Sequence, residues 1–182
     1  MREQFDVVIV GAGFGGLCMA IKLLDEGIRD FVILEKDKEV GGTWRDNSYP
    51  GAACDVQSHF YSYSFDAKPD WSERYAGWRE IQQYILDVTE SHGLRRFIRF
   101  GQEVNSARFD AGTGRWSVGT ASGSTLIARH VVLASGPLHV PSHPAIPGLE
   151  NFRGKVFHSA RWDHDYDLTG KRVASIGTGG SA

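Results

Sequence analysis

The stretch that decides the fold is FDVVIVGAGFGG, Phe5 to Gly16. Its apolar run, Phe5 to Val10, is short and rich in Val and Ile, as a parallel strand buried on both faces should be. Gly11, Gly13 and Gly16 follow at GxGxxG spacing. Leu17, Ala20, Ile21 and Leu24 then recur at i, i+3, i+4 and i+7, which gives a helix with one apolar face. Strand, glycine loop and helix in that order open a dinucleotide-binding unit. In such a unit Gly11 permits the tight turn, Gly13 lets backbone approach a pyrophosphate, and Gly16 lets the helix pack on the strand. The helix N-terminus stabilises the phosphate charge. A second apolar run, Phe31 to Leu34, ends at Glu35, where the fold places an acid on the ribose hydroxyls. A carboxylate there favours a free 2′-hydroxyl over a 2′-phosphate.

Further along, Trp78, Ile81, Ile85 and Val88 mark an amphipathic helix that stops at Gly93. Short apolar and alternating runs follow, Ile98 to Phe109, Arg115 to Thr120 and Leu126 to Ala134, separated by Ala111-Gly112-Thr113-Gly114 and Ala121-Ser122-Gly123-Ser124. Breaks of that kind read as hairpin turns, so a small antiparallel meander is expected over about 98–130. Pro137, Pro141, Pro144 and Pro147 then exclude helix and central strand, and an extended connector is expected. Lys171 to Ile176 reads as another strand, leading into Gly177, Thr178, Gly179, Gly180, Ser181 and Ala182.

Composition narrows the function classes. Twenty Lys plus Arg against 22 Asp plus Glu implies no nucleic-acid or anionic-membrane partner. The one basic cluster, Arg95, Arg96 and Arg99, reads as a solvated strand edge rather than a phosphate patch. No apolar run approaches a membrane span, and the two cysteines, Cys18 and Cys54, suggest a reducing compartment, so a cytoplasmic location is expected. Both cysteines read first as packing residues, with a chemical role left open for Cys54 beside Asp55. The spacing of His139, His143, His158 and His164 with Asp163, Asp165 and Asp167 matches no common ligand pattern, so no metal is expected.

Several segments carry a family resemblance. Gly41-Gly42-Thr43-Trp44, the segment YPGAACDVQSHFYSYSF from Tyr49 to Phe65, and FRGKVFHSARWD from Phe152 to Asp163 resemble, in that order, three patterns of the type I Baeyer-Villiger monooxygenases. The third is the FxGxxxHxxxW(P/D) fingerprint, carried here by Phe152, Gly154, His158, Trp162 and Asp163. VVLASG, Val131 to Gly136, is similar to the family's strand ending in Ala-Thr-Gly, with Ser135 replacing Thr, and Gly177 to Ala182 resembles its GxGxSA loop for NADPH. Disulfide reductases share the first glycine loop but carry a redox cysteine pair soon after it, where this chain has Trp44.

The resemblance implies an α/β fold: a Rossmann-like FAD-binding domain of the GR2, two-dinucleotide-binding flavoprotein type, with a β-meander insert, truncated at the start of the NADPH-binding domain. It implies an FAD-binding domain over 1–140, a linker with the fingerprint over 141–168, and the incomplete start of the NADPH-binding domain over 169–182. The cofactors implied are FAD and NADPH. Carried across by position, the FAD contacts are Gly11, Gly13, Gly16, Glu35, Lys36, Gly42, Thr43, Trp44, Asp55, Val56, Tyr61, Val104, Ala134, Ser135 and Gly136. Asp55 and Tyr61 are implied to lie near the isoalloxazine, and Val104 to present backbone to the adenine. Gly177, Thr178, Gly179 and Ser181 are implied on NADPH, and His158 in coupling the cofactor domains.

The reaction so implied is NADPH- and O₂-dependent insertion of oxygen into a ketone, through a C4a-peroxyflavin, to give an ester or lactone. Asp55 is the implied catalytic residue, positioning an arginine supplied from beyond Ala182; its other reading is a turn or capping carboxylate. On this reading the chain is the N-terminal part of an enzyme roughly three times as long, inactive alone. Its partners are a ketone, O₂ and the missing C-terminal region. A nitrogen- or sulfur-oxidising flavin monooxygenase and a non-catalytic FAD-binding fragment remain as alternatives. Arg45-Asp46-Asn47-Ser48 departs from the aromatic residues common after GGTW and suggests a subgroup. Val173 and Ile176 would lack a sheet to join, so the tail is expected to be disordered or to pack on another chain.

Overall fold

A computed structural model of the chain describes residues 3–138 and 140–179. Strand β1, Glu3–Val10, runs into helix α1, Phe14–Asp25, and the chain returns as β2, Phe31–Leu34. A single-turn helix α2, Thr43–Asp46, and a long irregular segment lead to α3, Trp78–Ser91. Strands β3, Ile98–Arg99, β4, Val104–Asp110, β5, Arg115–Thr120, and β6, Thr125–Leu133, follow. The six strands form one sheet in the order β3-β2-β1-β6-β5-β4. Among the described residues no helix is long and apolar enough to cross a membrane.

β1 is the centre because it pairs in parallel with both β2, Ile9 opposite Ile33, and β6, Ile9 opposite Val132. Its alternating residues therefore enter two cores. Val7 and Ile9 meet Leu17, Ala20 and Ile21 of α1 and Ile81, Ile85 and Val88 of α3. Val8 lies on the other face with Val32, Leu34, Val118, Leu126 and Ala128. The helix from Trp78 ends as its sequence predicts, with Gly93 in the left-handed conformation at φ +60°.

The structure departs from the sequence reading at three points. The run Ile98 to Phe109 is not one strand. Gly101, at φ +67°, turns the chain, so β3 adds to β2 at one edge of the sheet while β4 forms the opposite edge. The antiparallel meander is thus β4-β5-β6, and its last strand continues into the parallel sheet beside β1. Lys171 to Ile176 forms no strand. Val173 and Ile176 are 64% and 61% exposed, and no neighbouring strand among the described residues offers them a ladder. The basic cluster is also paired rather than simply solvated: Arg95 bonds Glu39 and Glu90, and Arg99 bonds Glu3.

Candidate functional site

The C-terminal ends of β1, β2 and β6 converge on the glycine loop. Gly11 N–H donates to the Leu34 carbonyl at 2.8 Å, and Ala134 N–H donates to the Val10 carbonyl at 2.9 Å. Gly11 has φ +100°, and a Cβ there would lie 2.6 Å from the Ala134 carbonyl oxygen. A Cβ on Gly16 would lie 1.9 Å from the Gly11 carbonyl oxygen, so this glycine lets α1 sit against the loop. Gly13 faces Gly42, whose Cα is 3.8 Å from where a Gly13 Cβ would stand. Gly13 also caps α1 with no side-chain bond, which leaves first-turn N–H groups without a protein acceptor one turn back.

The result is a cleft of about 350 Å³, within the range of ligand sites. Gly11, Gly13, Glu35, Lys36, Gly42, Thr43, Trp44, Tyr61, Val104, Ala134, Ser135 and Gly136 all line it, so twelve positions singled out by sequence stand around one space. Glu35 is 3% exposed at the end of β2. Its Oε2 accepts from Ala12 N–H at 2.8 Å, and its Oε1 accepts from Asp37 N–H at 3.0 Å and Arg45 Nη1 at 3.1 Å. Trp44 donates its indole N–H to the Tyr61 hydroxyl at 3.0 Å, and the two rings meet edge to face at 5.5 Å. Phe14 packs on Tyr61 in the same manner. Burial pushes the Tyr61 phenol above its ordinary pKa, so it stays neutral.

Other positions are not brought to this cleft. Gly16 acts behind the loop, through helix packing. Asp55 and Val56 are exposed and off the cleft wall, and the Asp55 carboxylate accepts no hydrogen bond from the described residues. The turn or capping role weighed for Asp55 is therefore not seen. Cys54 is buried, its sulfur accepts from Val56 N–H at 3.4 Å, and burial pushes its thiol pKa up, as suits a packing residue. Gly177, Thr178 and Gly179 are exposed and do not line the cleft, without the strand that a phosphate loop needs in front of it. Ser181 lies outside the described residues.

The fingerprint segment forms its own local structure. His158 Nδ1 accepts from Ala160 N–H at 3.0 Å and so caps a short 3₁₀ turn. Trp162 packs edge-on against Phe157 at 5.0 Å, and Asp163 pairs with Lys155 at 2.5 Å, a bond that holds the aspartate below its ordinary pKa. Phe152 is exposed, and its ring occupies the space a Cβ on Gly154 would need. Just after the segment, the His164 ring nitrogen lies 2.8 Å from the hydroxyl of Ser48, two residues beyond α2.

Sequence reasoning missed Arg45 and Asp46 as cleft residues. Arg45 is 16% exposed and bonds Glu35, Asp37, Asp46 and the Glu39 carbonyl from one guanidinium. Burial works against its charge, but the three carboxylates outweigh that and raise its pKa. The available signal was adjacent opposite charges directly after an apolar glycine segment.

Comparison with known proteins agrees with this geometry. Residues 4–182 match the family described as flavin-binding monooxygenase-like. A Baeyer-Villiger monooxygenase from Streptomyces coelicolor is 54% identical over 182 residues, all of this chain and 35% of that protein. A caprolactone-bound cyclohexanone monooxygenase superposes with a TM-score of 0.92 at 39% identity, over 99% of this chain and 36% of that one. OTEMO in complex with FAD and NADP gives a TM-score of 0.90 at 32% identity, over 100% of this chain and 36% of that one. The chain thus spans about a third of the length of these relatives. A match from residue 4 to residue 182, with the glycine loop, Glu35 and the GGTW segment gathered on one cleft, establishes that the chain belongs to the flavin-binding monooxygenase-like family.

Proposed function

We propose that this chain is the N-terminal FAD-binding portion of a longer NADPH- and O₂-dependent monooxygenase of Baeyer-Villiger type, which converts ketones into esters or lactones. The observation that carries the reading is the cleft, where a glycine cradle, a fixed buried carboxylate and an aromatic wall meet at the ends of three parallel strands. The residues fit FAD. Side chains at Gly11 or Gly16 would collide with backbone, so the loop is built for close approach, and the uncapped start of α1 can receive phosphate. Bound FAD would supply the redox chemistry by which NADPH activates O₂.

The chain's own residues bind and orient. Gly11 and Gly13 bring amides to the pyrophosphate, and Glu35, its oxygens fixed by Ala12, Asp37 and Arg45, accepts from ribose. Lys36 and the Val104 backbone flank the adenosine, while Gly42, Thr43, Trp44 and Tyr61 form a wall that excludes water. Ala134, Ser135 and Gly136 close the floor. Asp55, exposed and with a carboxylate that accepts no hydrogen bond from the described residues, would position an arginine from another part of the enzyme. Gly177, Thr178, Gly179 and Ser181 would enter the NADPH site of the longer chain, with Phe152, Gly154, His158, Trp162 and Asp163 in the linker between the two cofactor domains.

Ketone oxidation is supported by the relatives' names and by the Trp162-Asp163 ending of the fingerprint. The test is product analysis with ¹⁸O₂ on the full-length protein, supplied with NADPH, a cyclic ketone and a sulfide. Label in a lactone supports the reading. Label only in a sulfoxide would place the protein with the heteroatom oxidisers.

A further inference from the structure

The peptide unit that joins Val40 to Gly41 is held at both ends. Its N–H donates to the Ala12 carbonyl of the glycine loop at 3.0 Å, and its carbonyl accepts from the side-chain amide of Gln82, on α3, at 2.9 Å. Gly41 and Gly42 follow at φ +128° and +55°, a turn that suits glycine and strains other residues. A peptide unit is planar, so two bonds on opposite sides of one plane fix the direction in which that turn leaves it. Gly42 then stands against Gly13, and the Gly41 carbonyl accepts from Trp44 N–H at 3.3 Å where α2 begins. Gly41, Gly42, Thr43 and Trp44 all line the cleft.

Gln82 itself does not line the cleft. Its Oε1 is buried and finds no hydrogen-bond partner among the described residues, which is a cost to stability that native structures rarely carry without a reason. A Cβ on Gly41 would overlap the Gln82 amide, so this side chain packs directly on the turn. An apolar side chain of similar length could fill the same space with no unpartnered oxygen. What only the amide supplies is a donor for the Val40 carbonyl.

We propose that Gln82 is a positioning residue for the cofactor: through the Val40–Gly41 peptide it sets the Gly41-Gly42 turn, and with it Trp44, in the arrangement that receives FAD. A wall fixed beforehand does not have to be ordered when the ligand arrives, and that raises affinity. This rests on the reading of the cleft as the FAD site.

Titration of the flavin-free, full-length protein with FAD tests it, comparing Gln82→Met with the unsubstituted protein. The cofactor-free melting temperature and the visible circular dichroism of the flavin at saturation are recorded for each. Gln82→Met exchanges the unpartnered Oε1 for an unpartnered Val40 carbonyl, so the melting temperature should move little. FAD affinity should nevertheless fall roughly tenfold, and the flavin dichroism at saturation should change, because the wall is no longer held in one place. Gln82→Leu, which also lacks a donor, gives an independent reading should Gln82→Met not fold, and the same two changes are expected. Unchanged affinity and dichroism in a folded variant would overturn the proposal. So would a loss of affinity that tracks a fall in melting temperature while the dichroism stays the same, since Gln82 would then serve the fold alone. An unsubstituted protein that takes up no FAD refutes the cleft reading itself, whereas uptake that both variants leave unchanged refutes only the role of Gln82.

Discussion

At the residue scale, the glycines of the loop do separable work. Gly16 is constrained by backbone, since its Cβ would overlap the Gly11 carbonyl oxygen, while a Cβ on Gly15 would meet only the Ala134 methyl at 3.8 Å. Gly16→Ala is predicted to cost about 2–3 kcal/mol, a fall in Tm of roughly 5–10 °C for a chain of this size. Gly15→Ala should leave Tm within about 2 °C. Thermal melting of the two variants checks this, and a Gly16→Ala protein as stable as its parent would refute the packing role. These positions were legible in sequence because GxGxxG has one stereochemical meaning between a strand and a helix. Arg45 and Asp46 were legible only as an adjacent pair of opposite charges, not as cleft residues. Their meaning depends on Glu35 and Asp37, ten and eight residues before Arg45, being folded back against them.

At the scale of elements, Arg45 joins the end of β2 to α2 through carboxylates that are themselves largely buried. Arg45→Met leaves those charges without their cation and is predicted to destabilise the chain by about 3 kcal/mol, measured by urea unfolding with an unchanged m-value. A loss below about 1 kcal/mol would mean that solvent already screens the cluster.

The segment between α2 and α3 is held by aromatic packing. The Tyr63 hydroxyl donates to the Phe14 carbonyl at 2.6 Å, and the Tyr84 hydroxyl donates to the Asp66 carbonyl. Burial raises the phenol pKa of Tyr61, Tyr63 and Tyr84, most strongly at Tyr63. Their folded-state values lie above the unfolded value of about 10, so the stability they confer is complete below that pH and is lost as pH rises above it. Tyr63→Phe is predicted to lose about 1 kcal/mol at neutral pH while flattening the decline above pH ~10. An unchanged alkaline slope in denaturation measured from pH 8 to 11 would contradict this. Helix α3 was legible from its period and from Gly93. The split of Ile98 to Phe109 was not, because one glycine turn sends the two halves to opposite sheet edges, which local pattern cannot express.

At the scale of the whole molecule, the chain is one sheet with apolar cores on both faces, followed by a long segment with little regular structure. Residues 171–176 pair with no strand among the described residues, so their amides should exchange in hydrogen-exchange mass spectrometry far faster than those of β1 and β2. Protection matching β1 would show that this segment has found a partner. That a strand-like sequence stands exposed is a matter of its neighbours, since a strand is stable only beside another.

The central claim is that the cleft holds FAD, and the visible absorption spectrum of the purified chain titrated with FAD addresses it most directly. The account predicts protein-bound flavin bands that saturate at one FAD per chain and weaken in Glu35→Gln. A folded chain whose flavin spectrum stays that of free FAD at excess cofactor would contradict it.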